Sequence, residues 1–249
     1  IDNLLSLDNS LNFKGVKVEV TPLEVGPTMV WAEVVPESEW ELGKEATKQA
    51  FIIGEDFIGN DNCTLVLGDN IFYAHNFVNK LRQSSAQEDG ATIFAYPIHN
   101  PRDYGVVDFD KSGRALSIEE KPQNPKSSYV VPGLYFYDNN VIGLAKTIKP
   151  SARGEKEITT LNELYLNNNA LEVIIMARGM AWLDTGTVDA MSDATEFVKV
   201  MEKRTGKKIA CIEEIAFLCG YITKGEALLA AEKYGKSDYG QYIRKIVAE

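Results

Sequence analysis

The sequence predicts an α/β protein: a mainly parallel sheet with helices on both faces, a β-hairpin insertion and a C-terminal helical appendage. Three observations predict it. Cys63 to Leu67, whose apolar Leu65-Val66-Leu67 closes on Gly68, has the pattern of a strand buried on both faces. Helix-like and strand-like stretches then alternate, Asn76 to Gln83 with Ala91 to Tyr96, and Glu157 to Asn167 with Leu171 to Met176. Between these pairs the apolar period shortens over residues 104 to 138, where strands are joined by turns instead of helices.

In chain order, Val16 to Val20 alternates with period two, and Thr28 to Val35 is a second strand bounded by Pro27 and Pro36. Gln49 to Phe57 begins an apolar helix-like run, closed by Gly59-Asn60-Asp61. The helix at Asn76 to Gln83 has Phe77, Val78 and Leu81 on one side, and Gly90 breaks the chain before the next strand. Tyr104 to Asp110, the turn Lys111 to Arg114, and Ala115 to Glu119 form a hairpin. Tyr129 to Tyr137 is a strand interrupted by Pro132-Gly133. The helix at Glu157 to Asn167 carries Ile158, Leu161, Leu164 and Tyr165 on one stripe. Thr187 caps a helix running to about Arg204, with Met191, Ala194, Phe197, Val198 and Met201 on one face and Gly206 after its end. Short helices come after it, with Ile215, Ala216 and Cys219 on one packing stripe and Tyr242, Ile243 and Ile246 on another. Three segments result: a divergent start at 1–48, a core at 49–205 and a helical subdomain at 206–249.

Composition excludes several function classes. With 26 basic and 36 acidic residues the net charge is −10, which disfavours nucleic acid and anionic membranes as partners. No apolar run reaches transmembrane length. Cys63, Cys211 and Cys219 form no C-x-x-C pair, as in a reduced, cytoplasmic protein with structural thiols. The chain opens on Ile1 instead of Met, so a processed or truncated start is expected. His75 and His99 lie in no metal-ligand spacing, so neither a zinc site nor a Ser-His-Asp hydrolase has its material. No Gly-x-Gly-x-x-Gly or Walker loop is present.

The charged candidates sit where α/β sheets place chemistry. Asp69 follows the buried strand and its Gly, so it is either a turn residue or a cation ligand. Asp184, in Trp182-Leu183-Asp184-Thr185-Gly186-Thr187, likewise precedes a helix. Two carboxylates with oxygen surroundings favour Mg²⁺. Glu119-Glu120-Lys121 ends a strand, with Glu120 and Lys121 on opposite sides if the strand continues. Arg153 lies beside Gly154 before a helix, as an anion site or a solvated loop residue. Tyr104-Gly105 offers a ring and a bare backbone to a sugar, and Trp182 is a core anchor or a pocket wall.

Seven blocks together resemble bacterial glucose-1-phosphate thymidylyltransferases, of the sugar nucleotidyltransferase superfamily. They are Gln49 to Glu55, Leu67-Gly68-Asp69-Asn70-Ile71-Phe72-Tyr73, Tyr104 to Val107, Glu119 to Pro122, Gly133 to Asp138, Ser151 to Glu155, and Trp182 to Thr187. The resemblance covers about residues 49 to 249. It implies a Rossmann-like sheet that joins dTTP and glucose 1-phosphate into dTDP-glucose and pyrophosphate, in the dTDP-rhamnose pathway. It further implies Mg²⁺ on Asp69 and Asp184, with Lys121 and Arg153 gripping the sugar phosphate. Tyr104, Gly105, Glu120, Val131 and Tyr135 would line the glucose pocket, with Trp182 as a wall, in a homotetramer. The family's Gly-rich loop with its Arg has no counterpart in residues 1–48. A sugar-phosphate or nucleotide binder without transfer, and an assembly subunit, are the alternatives.

Overall fold

In the computed structural model, residues 11–13, 16–21, 28–33, 46–74, 77–149 and 157–248 are described. The chain divides into two compact units, Ile1–Asp184 and Thr185–Glu249. In the first, Cys63–Leu67 forms strand β4 with its first four residues buried, as its apolar run requires. Ahead of it come β1 (Leu11–Phe13), β2 (Val16–Thr21), β3 (Thr28–Glu33) and helices α1 (Ala46–Ile53) and α2 (Glu55–Ile58). After it come β5 (Asn70–Tyr73), α3 (Phe77–Ser85), β6 (Ala91–Pro97), β7 (Gly105–Phe109), β8 (Ala115–Glu120) and β9 (Tyr129–Val130). The unit closes with β10 (Leu134–Tyr137), α4 (Asn140–Thr147), α5 (Ile158–Asn167), β11 (Leu171–Ile175) and β12 (Ala181–Asp184).

The main sheet runs β1-β2-β3-β4-β10-β6-β9-β7-β8, with β11 added to β6. The α/β class and the helices on both faces are as expected; the mainly parallel sheet is not. Among the described strands only β3 with β4 and β6 with β11 pair in parallel. Strand β10 enters antiparallel to both of its neighbours, β4 and β6. A run buried on both faces, such as Leu134 to Tyr137, signals a central position but carries no sign of direction.

The faces alternate along β10. Tyr135 and Tyr137 join Leu65 and Ile93 beneath α1, α4 and α5, against Phe51, Val141, Leu161 and Tyr165. Leu134 and Phe136 join Val66 and Phe94 on the other face, against Phe77 of α3 and Met176. Each large side chain removed fully from water, as Phe94 is at 0% exposure, contributes about 2 kcal/mol. Gly133 is fixed by close approach, because a Cβ there would lie 2.7 Å from the Leu67 side chain. The hairpin expected at 104–119 is β7 with β8, register Gly105 to Glu120.

In the second unit, α6 (Val188–Thr205) is capped at Thr187, whose hydroxyl accepts from the Ala190 N–H at 3.2 Å. The units divide after Asp184, ahead of the boundary expected at residue 205. Helix α6 is tied to the segment beyond its C-terminus: Glu202 accepts from the Ile209 N–H at 3.0 Å and pairs with Lys208 at 2.5 Å. Helices α7 (Ile212–Leu218), α8 (Lys224–Lys233) and α9 (Asp238–Ala248) complete the unit. Cys211, Ala227, Ala231, Tyr242, Ile243, Ile246 and Val247 make its core. The stripe expected on α7 is corrected: Ile215 is 52% exposed and Cys219 is exposed, while Phe217 packs on the cluster. On α6, Ala194 is buried but Met191 is 56% exposed. No described helix is long and apolar enough to cross a membrane.

Candidate active site

Strand β4 delivers Asp69 at its end, and the chain turns at once into β5. Strands β5 and β12 pair in a separate two-stranded ribbon, with Asn70 opposite Asp184. Directly opposed residues of an antiparallel pair have Cα atoms about 5 Å apart, so Asp69 and Asp184 finish at one corner. The Tyr104 hydroxyl reports on both. It is pushed up to about 12, first by burial and then by Asp184 through charge and a hydrogen bond, with Asp103 and Asp69 adding to the effect. Asp69 is exposed and Asp184 half-buried, so the corner is open to a ligand.

Tyr104 leads into β7, and the first residue of that strand, Gly105, pairs with Glu120 at the end of β8. A Cβ on Gly105 would stand 3.0 Å from the Thr159 hydroxyl and 3.4 Å from a Glu120 carboxylate oxygen, so a side chain would fill this corner. Thr159 on α5 donates a hydrogen bond to Glu120. The Val131 N–H donates to the Gly105 carbonyl at 2.9 Å, and the Lys121 N–H to the Tyr104 carbonyl at 3.0 Å. Lys121 has φ +42, in the left-handed region, so strand alternation ends at Glu120 and does not send the two side chains to opposite sides. Such a conformation in a lysine is held only when its surroundings demand it.

Tyr135, on β10, connects the two corners. Its buried hydroxyl is pushed up by desolvation, then by Glu120 and by Asp69. Trp182 stands edge-on to Tyr96 at 5.7 Å and to Tyr104 at 5.3 Å, and its indole N–H donates to the Asn70 amide oxygen at 2.7 Å. Strand pairing, backbone hydrogen bonds and ring contacts therefore link Asp184, Tyr104, Gly105, Glu120, Val131 and Trp182 into one neighbourhood, with Asp69 beside Asn70 and Lys121 joined through its backbone. Arg153 and His75 lie outside the described residues. Asn70, Thr159 and Tyr96 were not singled out by sequence reasoning. The signal for Asn70 was an amide directly after the Gly-Asp turn; that for Thr159 was a hydroxyl in place of an apolar residue on a buried helix face.

The donor set bears on a metal. Among the described residues no three His, Cys, Asp or Glu side chains form a cluster, so a protein-only cage is not built here. Two carboxylates at an open corner fit a hard cation that takes its remaining ligands from phosphate oxygens and water.

Comparison with known proteins identifies the family. The family model described as nucleotidyl transferase matches residues 25–200, so the likeness begins well ahead of residue 49. A glucose-1-phosphate thymidylyltransferase of Neisseria meningitidis is 52% identical over 199 residues, 80% of this chain and 69% of that one. One from Mycolicibacterium smegmatis is 51% identical over 203 residues, 82% of this chain and 70% of that one. A crystal structure from Bacillus anthracis, assigned as a glucose-1-phosphate thymidylyltransferase and holding a sucrose, superposes with a TM-score of 0.55 at 37% identity. That superposition covers 61% of each chain.

Proposed function

This chain belongs to the nucleotidyl transferase family, among its glucose-1-phosphate thymidylyltransferases, and we propose that this neighbourhood is the acceptor and metal side of their reaction. That reaction joins dTTP and glucose 1-phosphate. A phosphate oxygen of the sugar attacks the α-phosphorus of dTTP, the bond to the bridging oxygen breaks, and pyrophosphate leaves with the electron pair. The attacking oxygen is already ionised, so no general base is required. The protein has instead to align two anions and offset their charge.

Asp69 and Asp184 would hold Mg²⁺, which when bound neutralises phosphate oxygens of the donor. Lys121 supplies a point charge, and Arg153 a planar fork, for the sugar phosphate. Glu120 and the bare backbone at Gly105 take sugar hydroxyls. Val131, Tyr135, Tyr104 and Trp182 wall the ring and exclude water. The same reading makes the protein a cytoplasmic homotetramer, whose mass light scattering would give.

The observation that carries the reading is the register of the β5–β12 ribbon, which sets Asn70, the neighbour of Asp69, directly opposite Asp184. A pyrophosphate-release assay with dTTP, glucose 1-phosphate and Mg²⁺ tests it; turnover that stops on Mg²⁺ removal is expected. Calorimetric binding of glucose 1-phosphate without turnover would instead support a non-catalytic binder. Neither turnover nor binding, in a stable oligomer, would support an assembly subunit.

A further inference from the structure

The side-chain amide of Asn70 has three partners. Its oxygen accepts the Trp182 indole N–H at 2.7 Å and the Gly133 backbone N–H at 2.9 Å. Its nitrogen donates to a carboxylate oxygen of Asp69, Oδ1, at 2.6 Å. Because two N–H donors converge on the oxygen, the amide cannot turn over without setting its NH₂ against both of them. The direction of the bond to Asp69 is therefore fixed by groups on the far side of Asn70. Those groups are themselves held. Gly133 lies against Leu67 and accepts its N–H at 2.9 Å, and Trp182 is seated between Tyr96 and Tyr104.

We infer that Asn70 is a positioning residue for the cation site: its hydrogen bond to Oδ1 sets the orientation in which the Asp69 carboxylate meets the metal. The inference rests on the reading of Asp69 as a cation ligand. A carboxylate on an exposed turn samples several rotamers. A donor braced by a strand backbone and an indole removes that freedom before the cation arrives. Partners of this kind behind a metal ligand are worth about 10- to 100-fold in metal affinity.

The test uses the full chain and Mn²⁺ as the probe, with affinity from calorimetry and coordination from the electron paramagnetic resonance spectrum. Asn70→Ala is expected to weaken Mn²⁺ by about 10-fold or more and to change the spectrum of the bound ion. A general loss of packing would lower the melting temperature without that spectral change. If Asn70→Ala does not fold, Asn70→Ser, which also cannot reach Asp69, is measured in its place with the same expectation. A folded variant that binds Mn²⁺ within about twofold of the wild type, with an unchanged spectrum, overturns the inference. Asp69→Asn separates the two levels. Undiminished Mn²⁺ binding in Asp69→Asn would overturn the cation reading itself. Loss there with none in the Asn70 variant would overturn only the role of Asn70.

Discussion

Asp69 and Asp138 are two carboxylates in the same unit with opposite surroundings. Asp138 is 6% exposed and accepts from the Gly90 N–H at 2.7 Å, the Tyr165 hydroxyl at 2.6 Å and the Asn140 N–H and amide at 3.1 and 3.0 Å. Its oxygens are saturated by the protein, and it closes the β10–α4 corner. Asp69 is exposed at the end of a strand and is oriented by a side chain while facing solvent. The contrast is between a buried carboxylate saturated by donors from its own chain, which is a structural part, and an exposed one at a strand end that a neighbouring amide orients.

Substitution separates the two roles. Asp69→Asn or Asp184→Asn should lower kcat by at least about 100-fold in a pyrophosphate-release assay, with the melting temperature nearly unchanged. Asp138→Ala should do the reverse. Stranding the Gly90, Tyr165 and Asn140 donors costs about 3 kcal/mol, a fall of about 6–12 °C in melting temperature, with activity per folded molecule retained in the cold. Equal effects on both measures in both variants would erase the distinction.

Within the proposed acceptor side the expected effects are smaller. Lys121→Ala should raise the KM for glucose 1-phosphate by about 10- to 100-fold and that for dTTP by less than about twofold, if the lost charge serves the acceptor phosphate as proposed. A larger effect on dTTP would place Lys121 on the donor side. Glu120→Gln should weaken glucose 1-phosphate by about 5- to 30-fold in calorimetry, since a hydrogen bond to a charged group becomes one to a neutral amide.

The smallest effect is alkaline. The Tyr104 hydroxyl is pushed up to about 12, so the folded state holds its proton more tightly than the unfolded chain does. Its contribution is full below about pH 10 and is lost as pH rises toward 12, because the unfolded state deprotonates first. Tyr104→Phe should flatten the fall in melting temperature over that window and shift the curve below pH 9 only by a constant amount.

How much of the molecule was legible in the sequence depends on how local the signals are. Strand β4, the β7–β8 hairpin and the Thr187 cap are written within a few neighbouring residues, and each stands where the pattern put it. The β5–β12 ribbon was missed, although it is what brings Asp184 opposite Asn70. Its strands have four residues each, too short for a period to show, and they pair across more than 100 positions. The direction of β10 was missed because burial on both faces looks the same either way round. Helix α4 went unread because its N-cap, Asn139, makes no side-chain cap, and the Asp138 carboxylate that accepts the Asn140 N–H is held by Gly90 and Tyr165 from distant segments. Residues with charge or ring chemistry were singled out. Asn70 and Thr159, which hold others in place, were not, since holding is a property of contacts and leaves little trace in residue type.

Calorimetric titration of the full chain with Mn²⁺, compared among wild type, Asp69→Asn and Asp184→Asn, tests most directly whether two distant acids share one cation. One bound ion per wild-type chain, and its loss in each single variant, is the result expected. Wild-type affinity and stoichiometry in either variant would contradict a shared site.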